Sequence, residues 1–253
     1  MSDLPRVVVT NDDGIDSPGL RLLAAGLAGS YDLIVAAPAS DMSGSGTGIG
    51  GFDPVSGVAL EPVDLDGISA YTIAGPPGLA VMAAALGAFG RMPDLVVSGV
   101  NAGMNTGHSI IHSGTVGAAL TARTFRSRGL AVSLAQSDPW LWETAVAVGV
   151  SAAGWMLERS GGPHVLNINV PAVPIDEVEG IHWADLDEFG YFRVANADMT
   201  DRKLQFVVGS SSAGADPASD TALCAKNFVT VTPLSSIEPA PFPDVDARSI
   251  WKP

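Results

Sequence analysis

Two kinds of apolar segment alternate along the first two-thirds of the chain. One kind is a short unbroken run of β-branched residues, such as Val7 to Thr10, which is typical of a strand buried on both faces. The other repeats its apolar residues every three or four positions, as in the segment that follows Pro18, and this spacing is typical of a helix. The alternation predicts an α/β fold with a mostly parallel sheet and helices on both of its faces.

Six strands and four helices are predicted in this part of the chain. The strands span residues 7–10, 32–38, 70–75, 93–103, 130–135 and 164–171, and the helices span residues 18–29, 77–89, 113–129 and 140–159. A glycine-rich loop follows the second strand. The open parallel sheet that results places the ends of several strands, and the loops after them, at one edge.

The pattern changes after residue 171. We therefore expect a core at residues 1–171 that holds the functional site, and a β-rich extension at residues 172–253 that serves as an oligomerisation arm, the two forming one continuous domain. Residues 202–209 and 227–234 predict antiparallel strands, separated by a mobile loop at 209–220. A proline-rich tail ends near Trp251, and a tryptophan on a polar tail indicates an interaction arm.

Composition narrows the function classes. The chain carries 27 acidic against 13 basic residues, a formal charge of −14, which repels polyanions and excludes a broad surface for DNA or RNA. Its apolar stretches are interrupted before the roughly 20 residues that a membrane span needs. The first strand begins too early for a signal peptide, and the single cysteine, Cys224, suits a reducing compartment as a buried core residue. We expect a soluble cytoplasmic protein with no nucleic-acid polymer or membrane as partner.

Three polar turns follow predicted strands, at residues 11–14, 41–46 and 98–103. They converge in an open parallel sheet and bring together two carboxylates, a hydroxyl and a carboxamide oxygen. This set of hard oxygen ligands suits Mg²⁺, Mn²⁺ or Ca²⁺. A cation would also explain why Asp12 and Asp13 are adjacent despite their repulsion. The simpler alternative is an Asx turn with one solvated acid, and Ser43 or Asn101 taken singly can be a turn cap.

A fourth segment offers a phosphate site. Ser113, Gly114 and Thr115 begin a predicted helix, so free backbone N–H groups and two hydroxyls lie at its positive end. The alternative is an ordinary N-cap. Together with a metal, the arrangement predicts hydrolysis of a phosphate ester.

Other patterns point to weaker hypotheses. Residues 44–51 match a dinucleotide-binding fingerprint, but no amphipathic helix follows them. His108 and His112 are four residues apart in a glycine-flanked loop, where a solvated or substrate-facing role is favoured over metal ligation. Three further acids are interpreted as surface residues, namely Asp16, Asp185 and Asp187.

Several long motifs, in this order, resemble the SurE family of metal-dependent 5′/3′-nucleotidases. They are VTNDDGIDSPGL near the N-terminus, VAAPASDMSGSG at 35–46, PDLVVSGVNAGMNTG at 93–107, HSGTVGAALTAR at 112–123, and LNINVP at 166–171. The resemblance implies a Rossmann-like core and a phosphoric monoester hydrolase, of the 5′-nucleotidase or acid phosphatase type, that releases phosphate from nucleoside monophosphates. It also implies a homodimer or homotetramer in which C-terminal segments exchange.

The resemblance assigns roles to individual residues. Mg²⁺ or Mn²⁺ is expected on Asp12, Asp13, Ser43 and Asn101, with Asp12 and Asp13 as the catalytic pair. The resemblance is not the source for a general base: the sequence shows no obvious one, and Asp13, a metal-bound hydroxide and His112 are the candidates. The residues expected to bind the substrate and its phosphate are Asn11, Gly44, Asn105, Ser113, Gly114 and Thr115.

The chain also departs from the family pattern. The departures are at Gly48, Gly50, Pro76, Leu79, His108 and His112. They motivate an alternative hypothesis, a degenerate relative that binds a nucleotide or a metal with little turnover. A nicotinamide-dependent oxidoreductase is a third, less favoured one.

Overall fold

The computed structural model describes residues 4–159, 161, 164–190, 192–200, 203–210, 215–235 and 237. Within these residues the strands are β1 (Arg6–Thr10), β2 (Asp32–Pro38), β3 (Leu60–Leu65), β4 (Ile68–Ile73), β5 (Leu95–Ala102), β6 (Arg128–Leu134), β7 (Val165–Val170), β8 (Gly180–Trp183), β9 (Phe192–Thr200), β10 (Lys203–Ser210) and β11 (Phe228–Leu234). The helices are α1 (Pro18–Leu27), α2 (Pro77–Ala85), α3 (Gly114–Thr124), α4 (Trp142–Glu158) and α5 (Asp220–Cys224), with short 3-10 helices at His108–His112 and Ile175–Glu177.

Nine of the strands form one sheet in the order β3-β4-β2-β1-β5-β6-β7-β11-β8. The pairs from β4 through β2, β1, β5 and β6 to β7 are all parallel. Only β3 against β4 and β11 against β7 are antiparallel in this sheet. The predicted α/β, Rossmann-like sheet is therefore confirmed.

The unbroken apolar run of β1 is explained by the two faces of the sheet. Val7 and Val9 belong to the core cluster that contains Leu20 of α1 and residues of α4, whereas Val8 packs in a second cluster with Val81 of α2 and with α3. Successive strand residues point to opposite faces, so a strand covered on both sides needs an apolar residue at every position. Full burial of each such side chain contributes roughly 1.5–3 kcal/mol.

The C-terminal strands exist but lie in different sheets. β10 pairs with β9, which was not predicted, in a separate two-stranded antiparallel sheet. β11 instead enters the main sheet between β7 and β8, because its residues Val229 and Val231 are apolar and join the core. The division of the chain at residue 171 stays a prediction, although β8 and β11 extend the sheet of the first part.

Other details differ from the sequence-based expectations. β3 was missed, and α3 ends at Thr124, so that Gly129 lies in β6 rather than at the helix end. A Cβ atom at Gly129 would stand 2.1 Å from the carbonyl oxygen of Ala119, so glycine lets the strand approach the helix. Within the predicted loop at 209–220, residues 209 and 210 belong to β10 instead, and in the described part from residue 215 Ser219 and Asp220 are buried. The tail from Pro239 to Trp251 lies outside the described residues.

Two expectations about single side chains have opposite outcomes. Cys224 is buried as predicted, and burial raises the pKa of its thiol to about 12, so the thiolate is absent at neutral pH. Asp185 and Asp16 are exposed as predicted, but Asp187 is only 2% exposed and is not a surface acid.

In the described part of the chain, every helix is too short or too polar to cross a lipid bilayer.

Candidate metal and phosphate site

The turn after β1 contacts the turns after β2 and β5. The backbone carbonyl of Asp12 accepts a hydrogen bond of 2.7 Å from the amide of Met42, and the carboxylate of Asp13 accepts one of 3.4 Å from the amide of Ala102. Since β1 lies between β2 and β5 in the sheet, the three strand ends are neighbours. The predicted convergence of the three polar turns is thus present.

Asn11 shapes the first turn. Its side-chain amide donates to the carbonyl of Gly14 at 3.0 Å, and its side-chain oxygen accepts from the Gly14 amide at 3.2 Å. Gly14 has φ +101°, a conformation that favours glycine. Because Asn11 is fully buried with both polar atoms bonded to Gly14, its geometry does not support the predicted role in phosphate binding.

The first turn of α3 approaches the carboxylate of Asp12 closely. A Cβ atom at Gly114 would lie 2.5 Å from Oγ of Ser45 and 2.7 Å from Oδ2 of Asp12, so no larger residue fits there. Within the residues that the structure describes, the amides of Gly114 and Thr115 have no hydrogen-bond acceptor. Two free N–H donors at a helix start form a site for an anion.

Asp12, Asn101 and Thr115 form one cluster of side-chain oxygens. The hydroxyl of Thr115 donates to Oδ1 of Asp12 at 2.5 Å and lies 3.2 Å from Oδ1 of Asn101. The side-chain amide of Asn101 donates to the carbonyl of Gly103 at 2.7 Å, which directs its oxygen toward the cluster. The sequence predicted that Thr115 binds phosphate. In the structure its hydroxyl donates to Asp12 instead, and therefore orients the carboxylate of Asp12.

The strand β5 is irregular where it presents Asn101. Its register against β6 shifts between Ser98 and Asn101. At Gly99, within this shift, φ is +144° and a Cβ atom would stand 2.4 Å from the carbonyl oxygen of Val132. An extra residue at this point re-aims the side chains that follow, which is how bulges serve functional sites.

Ser43 lies in the second turn, next to the amide that bonds Asp12. Its hydroxyl donates to Oδ1 of Asp41 at 2.6 Å, and its amide donates to the same oxygen at 2.8 Å. The hydrogen bond from the Ser43 hydroxyl is the main cause that holds the pKa of Asp41 below its usual value. Because the hydroxyl acts as a donor here, its oxygen lone pairs are left for a ligand.

The electrostatics of the acidic pair favour a cation. Asp12 is 3% exposed. Burial is the main cause that raises the pKa of Asp13 to about 6, and the charge of Asp12 is the second cause. The ion pairs within the described residues involve Asp16, Asp32 and Asp94, and none reaches Asp12 or Asp13.

The donor set indicates which cation fits. The described residues contain no group of three or more histidine, cysteine, aspartate or glutamate side chains that could hold a metal ion. A cation at Asp12 and Asp13 would therefore complete its shell with hydroxyl and carboxamide oxygens, the hard donors that Mg²⁺ and Mn²⁺ accept. The residues present fit such an ion.

Asn105 is held at the ends of β6 and β7. Its side-chain amide donates to Oγ of Ser133 at 2.8 Å, and its backbone carbonyl accepts from Asn167 and Asn169 at 2.9 and 2.8 Å. The amide of Asn105 in turn donates to Oδ1 of Asn169 at 2.8 Å. This network fixes the loop that Asn105 begins.

The remaining predicted residues have simpler surroundings. Oγ of Ser113 accepts from the amide of Val116 at 3.1 Å, so the N-cap alternative describes this side chain. Gly44 is exposed with φ +83°. His108 and His112 are exposed in a 3-10 helix rather than a loop, and the carbonyl of His112 accepts from the Gly46 amide at 3.1 Å.

The sequence reasoning missed two side chains of the site. Asp41 precedes Ser43 by two residues, a spacing at which a carboxylate often bonds the backbone and hydroxyl that follow it, and that signal was available. Oγ of Ser45 is buried beside Gly114 without a hydrogen-bond partner in the described part of the chain, and no sequence signal marks it.

Known proteins share this arrangement of motifs and fold. Residues 7–192 match the family model described as Survival protein SurE. The chain belongs to the SurE family. The 5′-nucleotidase SurE of Chloroflexus aggregans is 34% identical over 234 residues, which cover 90% of this chain and 92% of the relative. The 5′-nucleotidase SurE of Methylococcus capsulatus is 32% identical over 252 residues, which cover 98% and 97%. Among solved structures, the SurE protein from Aquifex aeolicus has a TM-score of 0.77 and 27% identity, with 91% of this chain and 93% of that chain covered.

Proposed function

We propose that this SurE-family chain is a phosphoric monoester hydrolase that acts as a 5′-nucleotidase, and also as a 3′-nucleotidase. Its substrates are nucleoside monophosphates, from which it releases inorganic phosphate. The relatives named 5′-nucleotidase SurE support the reaction class. The observation that carries the proposal is the buried carboxylate of Asp12, which lies beside Asp13 without a cationic partner in the described residues and directly under the start of α3.

We further propose that the activity depends on Mg²⁺ or Mn²⁺ held by Asp12, Asp13, Ser43 and Asn101. When bound, the ion supplies charge neutralisation at a phosphoryl oxygen and a water of lowered pKa. The hydroxyl of Thr115 keeps Oδ1 of Asp12 in one orientation, which leaves less reorganisation for the reaction.

The remaining phosphoryl oxygens face the backbone donors of α3. The amides of Gly114 and Thr115 would donate to them, and the exposed Gly44, at the start of the glycine-rich loop, is the other expected phosphate contact. These donors are fixed before substrate binds, so they stabilise developing charge at low cost. We propose Asp13 or His112 as the side chain that accepts a proton from the attacking water.

The substitution Asp12→Asn tests this proposal. It keeps the shape and the hydrogen bond from Thr115 but removes a charge, so we expect metal-dependent phosphate release to fall by about 100-fold or more. Phosphate release from a panel of 5′- and 3′-nucleoside monophosphates, with Mg²⁺, Mn²⁺ or EDTA, measures it. The matched control is Asp16→Asn, in the same turn but with a side chain 84% exposed and paired with Arg21.

Three results would refute this function. They are wild-type activity that EDTA leaves intact, a fully active Asp12→Asn variant, or equal losses in both variants. Circular dichroism of each variant separates a lost fold from a lost site.

Binding without turnover is the second candidate. Gly48 and Gly50 replace hydroxyl residues of the family pattern, and the backbone there packs tightly: a Cβ atom at Gly78 would lie 2.8 Å from the carbonyl oxygen of Gly48. Nucleotide binding measured by calorimetry, with no phosphate released by any metal, would favour this candidate over the enzyme.

We also propose a homodimer or homotetramer formed through the C-terminal part. The β9–β10 hairpin supports it, because an isolated two-stranded sheet is marginally stable in water and needs a further surface. Light scattering of the full chain, against a chain that ends at residue 238, tests the role of the tail. The cytoplasmic location remains a prediction.

A further inference from the structure

We propose that Asp220 is a positioning residue of the hydrolase site, which fastens the loop after Asn105 to the C-terminal part of the chain. The proposal concerns the substrate side of the site, and its effect on turnover rests on the proposed function. Its structural content, a carboxylate that fixes a loop, does not.

Asp220 accepts hydrogen bonds from three segments of the chain. Its Oδ2 accepts from the amide of Gly107 at 2.9 Å, and its Oδ1 accepts from the amides of Asp187 and Thr221 at 3.0 and 2.8 Å. The residue is fully buried. A buried carboxylate is costly unless it is hydrogen-bonded, so these three donors and the carboxylate depend on one another.

A second contact joins the same segments. The hydroxyl of Thr221 donates to the hydroxyl of Thr106 at 2.9 Å, and both side chains are buried. Asp220 and Thr221 therefore hold Gly107 and Thr106, the two residues that directly follow Asn105.

The loop from Thr106 also contacts the backbone of residues 187–190. Gly107 has φ +63° and Gly190 has φ +84°. A Cβ atom at Gly107 would lie 2.3 Å from the amide nitrogen of Gly190, and one at Gly190 would lie 2.1 Å from the carbonyl oxygen of Thr106. Such an approach excludes side chains from both positions, so the two loops cannot shift independently.

Asp187 holds the opposite side of this contact. Its Oδ1 accepts from the amides of Phe189 and Gly190 at 3.1 Å each, and its backbone carbonyl accepts from the His108 amide at 3.0 Å. Residues 187–190 and 219–221 together form what we term the acid clamp.

The acid clamp acts on Asn105, to which the family resemblance gives a substrate-binding role, through the two residues that follow it. Ser133, Asn167 and Asn169 fix Asn105 from the sheet, and the clamp fixes the two residues after it. None of the clamp residues belongs to the turns at 11–14, 41–46 or 98–103. Loosening the clamp should therefore weaken the hold on substrate and leave the affinity for the metal ion unchanged.

Three substitutions test the acid clamp. Asp220→Asn keeps the size but replaces one acceptor oxygen by a donor group, and Thr221→Val removes only the hydroxyl bridge. The matched control is Asp216→Asn in an exposed turn, where a carboxylate oxygen accepts from the amide of Ala218 and asparagine can do the same. Each variant is measured for KM and kcat with a nucleoside monophosphate, for Mn²⁺ affinity by calorimetry, and for hydrogen exchange at the Gly107 and His108 amides.

For Asp220→Asn we expect kcat/KM to fall about tenfold or more, chiefly through KM, because a hydrogen bond to a buried charge is lost. The Mn²⁺ dissociation constant should stay within about twofold, and exchange at Gly107 should accelerate about tenfold. Thr221→Val should show the same pattern with smaller changes, and Asp216→Asn should show none of it.

Several outcomes would overturn the acid clamp. One is a lower melting temperature with unchanged KM and unchanged exchange at Gly107, which is a purely structural role. Another is a parallel loss of Mn²⁺ affinity, which places the effect in the metal residues. If Asp220→Asn fails to fold, Thr221→Val decides by the same readouts. If the wild type releases no phosphate, the proposed function fails, and exchange at Gly107 then supports or overturns the clamp without it.

Discussion

Two pairs of acids in the described residues differ in their surroundings: Asp187 and Asp220 are both buried, whereas Asp12 is buried beside a partly exposed Asp13. Asp187 and Asp220 accept hydrogen bonds from five backbone amides of the chain, and the hydroxyls of Ser219 and Thr221 also lie within hydrogen-bond distance of their carboxylates. The carboxylates of Asp12 and Asp13 accept only from the Thr115 hydroxyl and, at 3.4 Å, from one amide among the described residues. A carboxylate surrounded by backbone donors serves the fold, whereas one with few donors lacks compensation for its charge.

The pKa values follow the same contrast. Burial raises the pKa of Asp220, while hydrogen bonds from three amides oppose that rise. For Asp13, burial and the neighbouring Asp12 both raise the pKa, to about 6, and only one amide opposes them. The pKa values of Asp220 and Asp13 are both raised, but Asp220 has three amides that oppose the rise and Asp13 has one, so Asp12 and Asp13 are the pair that lacks compensation within the described residues.

Apart from the loss expected for Asp12→Asn, the largest expected effect is that of Gly114→Ala. The added Cβ atom would lie 2.5 Å from Oγ of Ser45 and 2.7 Å from Oδ2 of Asp12, so α3 must move away from the acidic pair. We expect phosphate release to fall by about 100-fold, since displacements of about 1 Å can cost that much. Steady-state kinetics measures it. Gly26→Ala in α1, where a Cβ atom would meet only the side chains of Val146 and Val150, is the control. Equal activity of both variants would contradict the close approach.

The next largest effect concerns the increase in melting temperature that a bound metal ion produces, which should distinguish the two acid pairs. A ligand at 100 times its dissociation constant stabilises the folded state by about 2.7 kcal/mol. We expect Mn²⁺ to raise the melting temperature of the wild type and of Asp220→Asn by a similar increment, and to leave that of Asp12→Asn unchanged. Differential scanning calorimetry with and without Mn²⁺ measures the increments. An increment that persists in Asp12→Asn would place the ion elsewhere.

A tenfold effect is expected for Thr115→Val. Valine retains the shape of threonine but removes the hydroxyl that orients Oδ1 of Asp12 and lies next to Oδ1 of Asn101. Partners that orient metal ligands typically contribute about 10- to 100-fold in metal affinity or activity. The affinity for Mn²⁺, measured by titration, and the turnover rate should both fall. Thr124→Val, at an exposed position on the same helix, is the control, and equal Mn²⁺ affinity in Thr115→Val and the wild type would contradict the positioning role.

The sequence predicted the metal turns better than the acid clamp, for a physical reason. Strand ends of a parallel sheet converge by geometry, so residues in the turns after β1, β2 and β5 could be placed together from the pattern alone. The acid clamp joins residue 107 to residues 187 and 220, and no local periodicity indicates contacts between residues 80 or more positions apart. Asp187 was therefore misread as a surface acid.

Side-chain roles within the site were also beyond the pattern. Ser113, Thr115 and Asn11 were all expected to bind the substrate or its phosphate, the first two from their place at a helix start and Asn11 from the family resemblance. In the structure each is engaged within the chain, by Val116, Asp12 and Gly14 respectively. Residue type sets what a group can bind, and only its neighbours decide whether it is free to do so.

The smallest expected effect concerns the pH dependence of stability in EDTA. The pKa of Asp13 is raised from 3.8 to about 6 in the folded protein, so the folded state holds its proton over that interval and the unfolded state does not. Stability should therefore fall as pH rises from about 4 to about 6, and stay level above it. Because Asp13 is partly exposed, solvent screening reduces this cost to about 1 kcal/mol. Denaturant unfolding of the wild type and Asp13→Asn between pH 4.5 and 7 measures it: the fall should be smaller in Asp13→Asn than in the wild type, while Asp16→Asn retains the full fall. With Mn²⁺ present the order of stability should reverse near pH 7, because the wild type then gains the stability of the bound ion and Asp13→Asn loses a ligand.

Identical pH slopes in EDTA for the wild type and Asp13→Asn would mean that the charge of the acidic pair is already compensated within the chain, and the contrast with Asp187 and Asp220 would disappear.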